Sequence, residues 1–176
     1  MKKIFLLLTA FAGMALTQSC EGDAGPQGPQ GEQGTALVSD VYEITNVNFV
    51  NDGSDYYGIV YQFPQIYEGD MVLAYRLKGS TTGGADIWES LPKTYYFLSG
   101  ELEYNFDFTR SDISIYLDQS SNSVLTPAYT QNQVFRVVIV PGDLANKMTS
   151  TKYEDVVQML KLSDNSFKKV ASTRTR

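Results

Sequence analysis

The chain has 176 residues, 43% hydrophobic and 12% aromatic, with a formal net charge of -6 and no histidine. This is material for one domain with a real core plus appendages, and it excludes global disorder. The acidic balance excludes a nucleic-acid-binding protein, which needs clustered lysine and arginine, and the missing histidine excludes His-based triads and His metal sites.

Lys2 and Lys3 form a basic start and residues 4–16 an apolar stretch, the layout of a bacterial export signal. The stretch is too short for the ~20 residues that span a bilayer as a helix. A polar Gly-rich segment follows at once, so residues 1–19 read as a lipoprotein signal peptide rather than a buried helix. Leu16-Thr17-Gln18-Ser19-Cys20 resembles a lipobox, the signal for cleavage before a cysteine and acylation of that cysteine. Ser19 supplies the small residue before Cys20, while Thr17 and Gln18 depart from the strictest pattern. Cys20 is the only cysteine and cannot form an internal disulfide. Lipidation gives it a role, because several acyl chains together anchor stably where one does not. A free or intermolecularly paired thiol is the alternative.

Glycine then falls at 22, 25, 28, 31 and 34, with Pro26 and Pro29 between. Only glycine fits the axis of three wound polyproline-II chains, so this is a collagen-like period. Four triplets are too few to hold a triple helix alone. Residues 20–35 therefore read as a lipidated cysteine and a solvated spacer of about 40 Å, at ~3.1 Å per residue. A homotrimer wound through the triplets is the less favoured alternative.

From Ala36 the period changes to two. Residues 41–50 read as a strand, with a bulge near Thr45 and Asn46 where the alternation slips. The turn cluster Asn51-Asp52-Gly53-Ser54-Asp55 and a returning strand over 56–63 predict a hairpin. Residues 71–77 follow as a strand buried on much of both faces, 78–85 as a loop, then 87–92 and 94–98. Residues 102–110 are the cleanest strand. Leu102, Tyr104, Phe106 and Phe108 share one face, and Glu103, Asn105 and Asp107 the other. Ile113, Ile115 and Leu117 repeat the alternation. Residues 134–140 are an almost unbroken apolar run, suited to a central strand covered on both sides and ended by Pro141-Gly142. A helical turn over 143–148 leads to one amphipathic helix near 152–162. There Thr151 as N-cap and Glu154 at N3 match a capping box, and Tyr153, Val156, Val157 and Leu160 recur at helical spacing. Residues 164–176 read as a polar, basic, fraying tail. The expectation is a mainly β protein: an antiparallel β-sandwich or barrel-like head over 36–163 with one C-terminal helix, preceded by a signal peptide and a short extended Gly-x-y stalk.

Several motifs recur together in this order: the leader, Cys20 with its glycine triplets, Ile87-Trp88-Glu89-Ser90-Leu91-Pro92, Tyr104-Asn105-Phe106-Asp107-Phe108-Thr109, Phe135-Arg136-Val137-Val138-Ile139-Val140-Pro141 and Tyr153-Glu154-Asp155-Val156. In this the chain resembles the short collagen-like lipoproteins of Bacteroidota. The resemblance covers nearly the whole chain and implies an exported, lipid-anchored outer-membrane protein. It brings no catalytic residue set. Acidic residues just after the lipidated cysteine resemble a surface-export signal in that phylum; Glu21 and Asp23 partly match, which implies display on the cell surface.

Chemistry is harder to find. Asp52-Gly53-Ser54-Asp55 lacks the ligand run of a calcium loop and reads as a turn. Glu101, Glu103 and Asp107 alternate with core residues, which makes a solvated strand face a better account than an acid pair for glycoside cleavage. No nucleophile motif, phosphate loop or dinucleotide fingerprint is present. Trp88, Tyr95 and Tyr96 are the aromatic candidates for stacking on sugar rings, with Trp88 as a core plug the preferred reading. Arg136 within the apolar run needs a carboxylate, such as Asp107 or Asp112, and reads as a structural ion pair rather than an anion site. Lys168, Lys169, Arg174 and Arg176 are candidates for contact with an anionic surface polymer, with a disordered terminus the preferred reading. The expected function is thus a non-enzymatic, outer-membrane-anchored head making protein or matrix contacts, with no cofactor and no metal. A glycan-binding module is the first alternative and a carboxylate-only hydrolase a poor second.

Overall fold

The apolar run beginning at Val134 has to be covered on two sides, and the rest of the chain is arranged to do so. The computed structural model describes residues 39–51 and 57–171, all within the unit Ala36–Arg176. The strands are β1 (Asp40–Val47), β2 (Tyr57–Gln62), β3 (Met71–Ser80), β4 (Asp86–Ser90), β5 (Lys93–Phe97), β6 (Gly100–Phe108), β7 (Asp112–Gln119), β8 (Gln133–Val140) and β9 (Lys168–Ala171). Five form one sheet in the order β4-β3-β8-β1-β9 and four a second in the order β2-β7-β6-β5. Every neighbouring pair is antiparallel except β1 and β9, which run parallel.

Successive side chains of a strand point to opposite faces. In β8, Phe135, Val137 and Ile139 enter a core between the sheets, where they meet Leu102, Tyr104, Ile113 and Ile115 of the second sheet. Val138 and Val140 point the other way, into a second core with Val41, Tyr75 and Trp88. That outer face is closed by Val156 of the helix α3 (Tyr153–Leu160) and by Phe167. Burying each such large apolar side chain contributes roughly 1.5–3 kcal/mol. β8 is the middle strand of five, as its two-sided apolarity requires. It stops where expected. The Gly142 N–H donates to Asp70 Oδ1 (3.1 Å), and a Cβ at Gly142 would lie 2.9 Å from the Gly69 carbonyl oxygen. Two four-residue helices, α1 (Pro127–Thr130) and α2 (Gly142–Ala145), flank it.

The bulge in β1 is present: the register to β8 shifts between Ile44 and Val47, and Asn46 takes a φ of 55°. The predicted hairpin is not. β1 pairs with β8 and β9, whereas β2 pairs with β7 in the other sheet. β1 carries Tyr42 and Ile44 on one face and Val41 and Glu43 on the other, all buried, and only a place beside β8 covers both. β3 also runs three residues into the expected loop and leaves Thr81–Ala85 as a tight turn, with the Thr81 N–H donating to the Ala85 carbonyl at 2.8 Å.

The helix lies where its period places it, but it starts one residue late. Lys152 is the N-cap and makes no side-chain cap hydrogen bond, so the Thr151–Glu154 capping box does not form. The Thr151 carbonyl instead accepts from the Tyr75 hydroxyl at 2.9 Å, which holds the approach segment against the sheet. Glu154 and Asp155 still favour the first turn, and Lys161 ends the helix in the left-handed region at φ 53°. The tail expectation changes most. Residues 164–171 belong to the head: Phe167 is buried and β9 adds to the edge of β1. Its two lysines are matched, Lys168 to Asp40 at 2.9 Å and Lys169 to Glu43 at 3.6 Å. Residues 1–38, the turn cluster 52–56 and the last five residues, with Arg174 and Arg176, lie outside the described residues.

Among the described residues two buried side-chain oxygens, the hydroxyls of Ser39 and Tyr42, have no hydrogen-bond partner. The Tyr42 hydroxyl is enclosed against Tyr61 without a hydrogen bond. Its pKa is raised by burial and by Asp40. An unpaired buried polar group costs about 1–3 kcal/mol. Tyr42→Phe is therefore expected to leave stability unchanged or raise it by up to ~1 kcal/mol. Urea denaturation checks this; a loss would mean that the hydroxyl is satisfied after all.

Candidate functional site

The three aromatic candidates do not converge. Trp88 lies on β4, on the outer face of the five-stranded sheet, and is 7% exposed. Tyr95 and Tyr96 lie on β5, in the other sheet, and point to opposite sides of it. Tyr95 turns inward, packs on Tyr104 and Tyr129, and donates its hydroxyl proton to Glu89. Tyr96 turns outward and is 76% exposed. It stands at the rim of an open depression lined by Glu101, Glu103, Asp118 and Gln119. Asp107 is further along the same strand face, and Glu103 is directly opposite Asp118 in the β6–β7 register. Opposed like charges there are the solvated strand face anticipated from the alternation. Cys20 lies outside the described residues.

Around Trp88 the structure builds a more organised site. Arg136 rises from β8 and its guanidinium is sandwiched between the Trp88 and Phe167 rings, with Cζ 4.2 Å from each ring centroid. Each of its three nitrogens has a partner. Nε donates to Glu43 Oε2 (2.9 Å), Nη2 to Asp164 Oδ1 (2.9 Å) and Nη1 to the Tyr153 hydroxyl, and Nη2 also lies 2.8 Å from Glu43 Oε2 in an ion pair. The ion pair is thus real, but its carboxylates are Glu43 and Asp164. Asp107 and Asp112 belong to the other sheet and cannot reach. Burial works against the charge on Arg136, and the hydrogen bonds to Glu43 and Asp164 outweigh it, so its pKa lies above the ordinary arginine value. A groove of about 450 Å³ opens above this stack. Its lining includes Ala85, Asp86, Trp88, Arg136, Tyr153 and Asp164.

A second arginine, Arg76 of β3, is also buried, and nothing in its local sequence marks it. It lies at the edge of the inter-sheet core, with Nε and Nη2 donating to Gln133 Oε1 at 2.9 and 2.7 Å and Nη1 to the Tyr95 hydroxyl at 2.9 Å. Its Cζ is 4.5 Å from the Tyr104 ring centroid. Glu89, opposite it across β3 and β4, also meets Lys78 at 3.2 Å and Lys93 at 3.8 Å. The only signal available was the excess of tyrosine at inward positions of neighbouring strands.

Glu89 carries a pH dependence. Burial alone would raise its pKa, but hydrogen bonds from Tyr95 and Lys78 and the charges of Lys78 and Lys93 hold it below the ordinary glutamate value. A carboxyl depressed in the folded state contributes stability that is full above the unfolded value, about 4.3, and is lost as pH falls through the lower folded value. Acidification through that window is expected to destabilise the protein more steeply than its Glu89→Gln variant. Denaturation curves between about pH 6 and about pH 3 test this, and parallel losses would remove Glu89 from the account.

The chain matches no protein-family model, no curated protein and no solved structure. Among the described residues no group of three or more His, Cys, Asp or Glu side chains could hold a metal ion, and no helix is long and apolar enough to cross a membrane.

Proposed function

We propose that this is a lipid-anchored outer-membrane protein whose β-sandwich head is held away from the bilayer on a short Gly-x-y spacer and works by contact rather than by catalysis. The observation that carries the reading is the place of the only cysteine, directly after an export-type leader and directly before a strict glycine period. The acidic start of the spacer, Glu21 and Asp23, supports presentation at the cell surface. The head supports a contact role in its own way: its four-stranded sheet presents the exposed Tyr96 ring beside Glu101, Glu103 and Asp118.

The test is the mature protein from intact cells. Its mass should correspond to a chain beginning at acylated Cys20, and Cys20→Ala should move the protein out of the membrane fraction. An unmodified cysteine or a retained Met1 would overturn the reading. Protease added to whole cells should cut the head if it faces outward, and light scattering of the full chain should give a monomer if the triplets act as a spacer.

A glycan-binding reading rests on one observation, the exposed Tyr96 ring beside Glu101 and Glu103, a flat apolar face next to hydrogen-bond acceptors. A glycan panel bound by the wild type and lost in Tyr96→Ala would favour it.

A further inference from the structure

We infer that the groove at Arg136 is a binding site for a ligand carboxylate, whose place on the guanidinium Asp164 takes as an internal substitute. The inference concerns the head alone and does not depend on how the chain is anchored.

The two carboxylates on Arg136 are not equivalent. The Glu43 side chain is 9% exposed, accepts from Nε and lies 2.8 Å from Nη2; the Asp164 side chain is 85% exposed and accepts from Nη2 at 2.9 Å. A buried carboxylate cannot leave a guanidinium without stranding a charge, so Glu43 is a permanent partner. An exposed carboxylate keeps most of its water, and its pairing is weak and exchangeable. Asp164 opens the three-residue 3-10 turn Asp164–Ser166, which is closed by its own hydroxyl exchange between Ser163 and Ser166. Its side chain can therefore swing out with no change in the backbone.

Swinging it out exposes one planar N–H donor at the base of the groove, already oriented by ring stacking on both faces. A guanidinium in this state is suited to a carboxylate oxygen. Exchange of one carboxylate for another leaves the local charge unchanged. Asp86, also in the lining, disfavours a second negative charge, so the ligand class is a monocarboxylate. A groove of about 450 Å³ is within the size of small-ligand sites, and Tyr153 in its lining carries a hydroxyl for a further polar contact. A sugar acid and a peptide C-terminus share this chemistry.

Trp88 is the only tryptophan in the chain and lies against Arg136, so its emission reports on the site. The full chain is titrated with galacturonate, with N-acetylglycylglycine and with galactose, as wild type and as Asp164→Ala. A saturable emission change with one or both acids, tightened about tenfold in Asp164→Ala because an intramolecular competitor is gone, supports the inference. The acid that responds identifies the source of the carboxylate. An equal response to galactose, an affinity unchanged or weakened in Asp164→Ala, or no response in either protein would overturn it. Arg136→Lys should abolish the response, but it disturbs the fold, so the Asp164 variant decides.

Discussion

Arg136→Ala is expected to destabilise the head by about 3–5 kcal/mol, as removal of one partner of a buried ion pair does. Glu43 would remain buried with only Lys169, 3.6 Å away, for compensation. Trp88 and Phe167 would lose the plane between them, and Tyr153 and Asp164 would lose a shared donor. These partners come from β4, α3, β1 and the turn before β9, so one side chain ties the C-terminal layer to the sheet. Guanidinium unfolding of the purified protein measures the loss. The control is Glu43→Leu with Arg136→Met, which removes both charges; much of the stability should return, because an apolar replacement of a buried pair is often neutral. A single variant no less stable than the double would mean that the stack, not the charge, carries the effect.

Arg76→Ala is expected to cost about 3 kcal/mol, through an acceptor left unpaired and a cavity left among rings. Gln133 Oε1 would keep only a long contact from the Tyr104 hydroxyl at 3.5 Å, and the Tyr95, Tyr104 and Tyr129 rings would surround a void. Glu89 would still have Lys78 and Lys93, which is why the loss should be smaller than at Arg136. Arg76→Lys should recover little, since an ammonium cannot fork to Gln133 and Tyr95 while stacking on a ring. Thermal unfolding of the two variants side by side tests the order, and a lysine variant as stable as wild type would show that charge alone suffices.

The contrast between these arginines shows what the sequence made legible. That Arg136 would be buried and paired followed from its place in an apolar run. Which carboxylate it meets did not: Glu43 is 93 residues away in the chain, and nothing local distinguishes it from Asp107. The same limit explains β9. Lys168 and Lys169 look solvated until a parallel partner brings Asp40 and Glu43 beside them. The hairpin expected between residues 41 and 63 failed because a turn cluster reports only that the chain turns, not that the flanking strands pair. The helix was legible from its spacing, but its first residue was set by the Tyr75 hydroxyl on Thr151.

By itself the sequence determined the identity and facing of most elements: the two-sided β8, the alternating β6 and β7, and the helix with Val156 on its buried side. Periodicity is a property of the backbone, whose geometry places side chains two or 3.6 residues apart whatever the partner. Only the tertiary structure decided that β1 joins β8 instead of β2, that residues 164–171 belong to the head, and that Trp88, Arg136 and Phe167 form one stack beneath a groove. Those choices depend on packing and desolvation summed over the assembled sheets, and no window along the chain contains that sum.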